Sequence, residues 1–260
     1  MMTRKKRTRG VRAVVWMVFT LWSVVGRADQ IPTGEPLGIV DRSIEFHGGE
    51  TYLNSLAELQ VCSKSGCYRV TARIQGGQFE IEARGQVRDH ERRVRITNQS
   101  VEHWQDGQAV EVEAGRAGAL RDWVMARAYF VFLPFRLNDD SVIQEDLGIE
   151  IWNDRSWRKV KVSFVAGSSS GANDEFLYWF DPETARLEQF AYSFAENSGG
   201  LRLRRLFNYR RVGGVLFFDQ ENWGVDGGGL SVDQIRPDQV SDFLHLSTVT
   251  VREITVQPLE

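Results

Sequence analysis

The amino-acid sequence predicts one β-rich α+β domain behind a short leader. Three observations carry this reading. Two short stretches repeat apolar residues at helical spacing, and about ten further runs alternate or stay apolar over strand lengths. Neither an internal repeat nor a domain linker divides the rest of the chain. The 260 residues include 15 Phe, 8 Trp and 6 Tyr, ample material for a core or an apolar cavity.

Residues 1–28 follow the order of a Sec signal peptide. Arg4, Lys5, Lys6, Arg7, Arg9 and Arg12 form a basic block, Ala13 to Val25 is apolar, and Gly26-Arg27-Ala28 supplies small residues at the cut. As a helix the apolar run reaches about 20 Å, short of the ~30 Å hydrocarbon core. Cleavage before Asp29 is therefore the expectation, with an uncleaved N-terminal anchor as the alternative, and the protein is expected in the periplasm or secreted. No cysteine lies near the cut to take a lipid. Residues 29–36, with Pro32, Gly34 and Pro36, read as a mature N-terminal tail, and residues 37–260 as a single domain. Without the leader the chain has 25 basic against 35 acidic residues, a net charge of −10. That balance argues against nucleic acid as a partner. No other apolar stretch is long enough to span a bilayer.

Along the domain, Leu37, Val40 and Ile44 recur at helical spacing, and after His47-Gly48-Gly49 so do Tyr52, Leu53 and Leu56. The glycines split this into two helical pieces, the first ending near Phe46. Strands are expected at Cys67 to Ile74, Phe79 to Ala83 and Arg92 to Thr97, with Gly76-Gly77 as a turn. Val101 to Gln105 and Gln108 to Glu113 flank Asp106-Gly107, a strong hairpin signal. Residues 117–133 interrupt the meander: Leu120, Trp123, Val124, Arg127 and Ala128 are helically spaced, and Tyr129 to Leu133 is solidly apolar until Pro134. Strands resume at Glu150 to Trp152, Trp157 to Val165, Glu175 to Phe180, Leu187 to Phe194, Leu203 to Val212, Val215 to Trp223 and Thr248 to Val256. Residues 167–171 read as a loop.

Two local geometries are specified closely. Cys62 and Cys67, the only cysteines, bracket Ser-Lys-Ser-Gly between strand-like runs, which sets their sulfurs across a hairpin. In an oxidising compartment a disulfide is expected. A zinc site would need more ligands than two thiolates. Gly213-Gly214 as a two-residue turn pairs Val212 with Val215, Arg211 with Leu216, Arg210 with Phe217 and Tyr209 with Phe218. The same register continues through Asn208–Asp219, Phe207–Gln220, Leu206–Glu221 and Arg204–Trp223. The face of Tyr209, Phe218, Leu216 and Phe207 is expected inside, and that of Arg210, Phe217, Asn208 and Asp219 in solvent.

Catalytic signals are sparse. The four histidines, His47, His90, His103 and His245, show no metal-binding spacing, and no metal or cofactor is expected. His47 could serve as a base beside a sharp turn, or simply pack at a helix end. Asp219 and Glu221 stand two apart on one strand, roughly 7 Å between them, a separation a glycosidase could use; charge compensation by Arg204, Asn208 and Arg210 is the plainer reading. Asp139-Asp140 and Glu145-Asp146 read as loop solvation, without the glycine of a calcium loop. Arg202, Arg204, Arg205, Arg210 and Arg211 form one basic concentration, either an exposed strand face or a contact for an anionic headgroup or acidic partner. The aromatic runs, Trp123 to Phe135 and Phe176 to Phe180, serve either a core or the wall of an apolar cleft.

Several stretches resemble a known family. They are Tyr178-Trp179-Phe180-Asp181-Pro182-Glu183-Thr184-Ala185-Arg186-Leu187, the segment Ala128 to Leu137, and Tyr209 to Phe218. Together with the leader, the N-terminal helix and the interrupted meander, they resemble the outer-membrane lipoprotein-sorting (LolA/LolB-like) superfamily, and within it an uncharacterised secreted bacterial subgroup. The resemblance implies an unclosed β-barrel, a strongly curved antiparallel sheet with helices covering the concave face around an apolar cavity. It also implies a monomeric carrier without catalytic function, for a lipid, a lipoprotein acyl chain or another hydrophobic ligand. The expected cavity wall is Trp123, Phe130, Phe132 and Phe135 on the lid, with Trp179, Phe207, Tyr209 and Phe218 on the sheet. Two alternatives stand beside it: an envelope hydrolase using Asp219, Glu221 or His47, and a protein-binding envelope sensor using the arginine face.

Overall fold

A computed structural model describes residues 38–165, 174–194, 200–225, 231–238 and 243–260. The leader, the tail at 29–36 and the loop at 167–171 lie outside the described residues. Helix α1 (Ile39–His47) and the short α2 (Gly49–Leu53) meet at Gly48. Gly48 has φ 134°, and a Cβ there would come within 2.9 Å of the Val215 backbone. The residue must therefore be glycine both for its conformation and for the close approach of the hairpin beneath it.

Thirteen antiparallel strands form one sheet. Six are consecutive: β1 (Ser55–Ser63), β2 (Gly66–Gln75), β3 (Gln78–Val87), β4 (His90–Thr97), β5 (Val101–Gln105) and β6 (Gln108–Val110). Six more follow: β7 (Val142–Trp152), β8 (Arg155–Phe164), β9 (Phe176–Phe180), β10 (Leu187–Phe194), β11 (Gly200–Val212) and β12 (Val215–Val225). The last strand, β13 (Leu244–Pro258), inserts between β1 and β12 and joins the two meanders. Strands β6 and β7 end up at opposite edges and do not pair with each other, so the barrel is unclosed. This topology has a direct consequence. The chain from β6 to β7 must cross one face of the whole sheet, and that crossing, helix α3 (Ala117–Ala128) followed by 3-10 turns at Tyr129–Val131 and Phe135–Asn138, is the lid.

Three apolar clusters result. The first lies under α3, where Leu59, Val70, Ile81, Val94 and Ile96 meet Leu120, Val124 and Phe132. The second packs Val160, Val162, Phe176, Tyr178, Phe190 and Phe218 against Val40, Leu133 and Leu137. The third is on the opposite face, with Trp157, Leu177, Trp179, Ala191 and Leu203 beneath Val232 and Ile235. Cys62 and Cys67 face each other on β1 and β2 and are disulfide-bonded.

The structure departs from the sequence reading at three places. Leu56 lies in β1 instead of closing a helix, and residues 142–149, read in part as an acidic loop, form most of edge strand β7, where Asp146 ion-pairs with Arg158. Asp139 is not merely solvated either, because it pairs with Arg136. The third departure concerns the β11–β12 hairpin. The expected register holds for Val212–Val215, Arg211–Leu216 and Arg210–Phe217, then shifts, so that Phe207 pairs with Asp219, Leu206 with Gln220, Arg205 with Glu221 and Arg204 with Asn222. A β-bulge at Asn208 (φ 51°) absorbs the extra residue. Phe217 and Asp219, expected in solvent, are buried. β12 pairs with β13 only from Gln220 to Gly224, so residues 215–219 leave that neighbour and meet the core on both sides. Val215 and Phe217 join the first cluster and Phe218 the second.

Candidate functional site

The space between lid and sheet is built by strand alternation. On β9, Phe176, Tyr178 and Phe180 face the lid, while Leu177 and Trp179 face the other way. On β10 the lid-facing positions include Phe190 and Tyr192. Phe130, at the end of α3, lies over this platform: its ring centroid is 5.2 Å from those of both Phe190 and Tyr192, in stacked orientation. Phe176 stacks on Tyr192 at 5.3 Å, and Tyr178 on Phe190 at 5.7 Å. A continuous aromatic layer thus separates the crossing segment from the sheet.

Six of the eight expected wall residues are on or near this side. Phe130, Phe132 and Phe135 are on the lid, with Phe132 and Phe135 buried against Tyr52. Trp123 lies further along α3 against Tyr68. Phe218 and Tyr209 meet edge to face at 6.0 Å, and the Tyr209 hydroxyl donates to the Leu187 carbonyl at 2.8 Å. Phe207 is not a wall residue: it alternates with Leu206 of the second cluster, is in phase with Leu203 of the third, and so faces away from the lid, 39% exposed. Trp179 is misplaced in the sequence reading. It belongs to the opposite face, where its Nε1 donates to Glu150 at 2.6 Å. Because β9 is buried on both faces, alternation alone could not say which set looks toward the lid. Phe176, Tyr178, Phe190 and Tyr192 were missed as wall residues, although the pairing of two strands with aromatics two apart carried the signal.

The phenols of Tyr129 and Tyr178 face each other in the interior, each the other's polar neighbour, with no further acceptor in hydrogen-bond geometry. Burial pushes Tyr129 up to about 12 and Tyr178 well above its usual value, so both are neutral donors. Helix α3 buries the stripe Leu120, Val124 and Ala128, and the turns after it bury Val131, Phe132, Leu133, Phe135 and Leu137. Beyond that, Gln220 donates to the Phe130 carbonyl at 2.9 Å, and Arg121 to those of Thr97 and Ser100. A cleft of about 410 Å³ opens away from this layer, at the end of β3 to β5.

The candidate catalytic groups are occupied structurally. His47 is fully buried, and its Nε2 accepts from the Leu187 amide at 3.2 Å. Burial first, and then Arg211 and Arg186, hold its pKa down to about 3. Asp219 accepts from Asn208, Arg210 and the Val251 amide, the first two being neighbours the sequence expected to compensate it. Glu221 accepts from Trp223 Nε1 and lies opposite Arg205, not Leu206 as the expected register had it. The arginine concentration is dispersed: Arg210 pairs with Asp219, Arg211 donates to Phe46 and Gly214 carbonyls, and Arg204 lies over Phe130. Among the described residues no group of acidic, His or Cys side chains is placed to hold a metal, and no helix is long and apolar enough to cross a membrane.

Fold and site together define an unclosed antiparallel β-barrel whose edge-to-edge crossover lids an aromatic concave face. The chain belongs to the DUF6503 family, a family of unknown function whose model matches residues 86–236. No curated protein matches. Among solved structures, the chain is similar to a LolA superfamily protein from Nitrosomonas europaea, at 10% identity and a TM-score of 0.49, covering 85% of this chain and 93% of that one. It is also similar to a putative outer membrane lipoprotein-sorting protein domain from Vibrio parahaemolyticus, at 8% identity and a TM-score of 0.38, over 84% and 93% of the two chains. A DUF1329 family protein from Desulfovibrio piger matches at 9% identity and a TM-score of 0.41, over 84% and 91%.

Proposed function

We propose that this is a non-enzymatic binding protein, exported by its leader, that takes an acyl chain or similar hydrophobic ligand between lid and sheet. The stacked layer of Phe130, Phe176, Tyr178, Phe190 and Tyr192 carries this reading. Opening the lid would let an apolar chain replace ring contacts with its own, so that apolar area stays out of water at about 25 cal/mol per Å². The Tyr129 and Tyr178 hydroxyls, which have no polar neighbour but each other, would donate to a ligand carbonyl or ester. Trp123, Phe132, Phe135, Tyr209 and Phe218 would extend the wall on either side.

A dansylated fatty acid tests this. Uptake is expected to shift its emission to the blue, reversibly on addition of unlabelled fatty acid. Gln220→Ala, which removes the tie to the Phe130 carbonyl, should speed uptake. A folded wild-type protein that leaves the emission unchanged would refute the proposal.

A further inference from the structure

The lid-facing side of β2 to β5 changes character along its length. Under the middle of α3 it is apolar, with Val70, Ala83, Val94 and Ile96. At its far end the same alternation places Tyr68, Gly85, Val87, Arg92, His103 and Gln105. From above, Trp123 and Arg127 of α3 come down onto this end. The Arg127 guanidinium lies 4.2 Å from the Tyr68 ring centroid and 4.0 Å from that of Trp123, and Arg92 is 5.5 Å from Trp123. Arg88, in the β3–β4 turn, and Arg92 line the adjoining cleft with Val87, His90 and Gln105.

The arrangement is built, not incidental. Tyr68 lies so flat across β3 that a Cβ on Gly85 would sit 2.4 Å from its ring. Only glycine lets the ring serve as a shelf for Arg127. Arg127 uses one terminal nitrogen on the Trp123 carbonyl at 2.6 Å, while its Nε is buried without an acceptor. His103, also buried, has an Nε2 without a partner.

What the cluster lacks is negative charge. On β4 itself the contrast is direct. Arg93 and Arg95, on the outer face, pair with Glu80, Glu82 and Glu102. Arg92, one residue away on the inner face, pairs with none, and neither do Arg88, Arg116 or Arg127 among the described residues. Asp106, bonded to the cleft residue His90, is taken up by that ring and the Glu91 amide. Burial, and after it the charges of Arg116, Arg127 and Arg88, lower the pKa of Arg92; burial, Arg92 and Arg116 lower that of His103. In a chain whose expected mature form is acidic, the guanidiniums of Arg92 and Arg127, gathered on the Trp123 and Tyr68 rings with Arg88 on the adjoining cleft, are matched to an anion.

We infer that Arg88, Arg92 and Arg127, beside Trp123 and Tyr68, form a binding site for a phosphate-type oxyanion at the open end of the concave face. Guanidinium forks match the oxygens of a phosphoryl group two at a time, and the rings hold them without neutralising them. The anion is either a free phosphate compound or the headgroup of an amphiphile. The site stands whether or not the aromatic layer opens.

The test is titration of the full chain at constant ionic strength with inorganic phosphate, pyrophosphate, and vesicles of phosphatidylglycerol or phosphatidylcholine. Arg92→Gln and Arg127→Gln are each expected to weaken binding about tenfold or more, and Arg93→Gln, on the paired outer face, to leave it unchanged. Arg88→Gln, in an exposed turn, replaces either variant that fails to fold. Binding of phosphate or pyrophosphate, weakened by these variants, supports the site with a free anion as ligand. Binding to phosphatidylglycerol vesicles alone, equally weakened, supports it with a headgroup. No binding of any anionic probe, or binding that Arg93→Gln weakens as much as Arg92→Gln, overturns it.

Discussion

Asp219→Ala is expected to cost about 3–5 kcal/mol of folding free energy, the scale for removing one partner of a buried, hydrogen-bonded ion pair. The reason lies in the sheet. Where β12 parts from β13 below Gln220, the backbone of Val251 loses its strand partner on that side. Two side chains take the strand's place. Asp219 Oδ1 accepts from the Val251 amide at 2.8 Å, and Arg210 donates to the Val251 carbonyl. The pair is joined at 2.9 Å, and Asn208, whose positive φ makes the bulge, donates to the other carboxylate oxygen at 2.7 Å. Alanine at 219 would strand an amide, an amide side chain and a guanidinium at once, in a site only 4% exposed. Asp219→Asn keeps an acceptor for Val251 and should cost less. Urea unfolding of the two variants checks this, and an alanine loss below about 1 kcal/mol, the level of an exposed pair, would contradict it.

Acidification from pH 7 to pH 5 is expected to remove about 2 kcal/mol through His47. In the unfolded chain the ring takes up a proton near its usual pKa of 6.5, whereas in the fold it stays neutral down to about 3. The unfolded state therefore binds more protons between those values. The stability is complete above about pH 6.5 and is lost progressively as pH falls toward 3. His103, lowered in the same direction by burial and by Arg92 and Arg116, adds to the effect. Asp181, depressed to about 2, acts only below about pH 4, and Asp139, raised by burial, acts in the opposite sense. His47→Gln retains an acceptor for the Leu187 amide but does not titrate. Chemical denaturation at the two pH values should show it losing less than half as much as the wild type. Equal losses would mean that His47 is not the group responsible.

These two residues also show what the sequence could and could not tell. The alternation of Phe176, Tyr178 and Phe180, the Gly213-Gly214 turn and the Cys62/Cys67 hairpin were legible because each is a local rule of backbone geometry. The bulge at Asn208 was not, because nothing in a strand-like run announces which residue will take a left-handed conformation. That single insertion moved every pair beyond it, and it turned a seemingly solvated Asp219 into a buried tie. Trp179 was assigned to the wrong wall for a related reason: a strand apolar on both faces has no preferred side until its neighbours are known. The crossing of the lid, by contrast, follows from β6 and β7 lying at opposite edges, a long-range pairing fact. The arginine cluster gathers residues from a strand, a turn and a helix, and only the position of Arg92 in phase with Val94 and Ile96 hinted at it.

The proposed role as a carrier is tested most directly by native mass spectrometry of the protein purified, without detergent, from the envelope or medium of the cells that export it. A fraction heavier than the processed chain by the mass of a lipid or other apolar compound, released by organic solvent, is the expected result. A single species at the mass of the bare chain, from protein that also fails to take up the fatty-acid probe, would contradict the account.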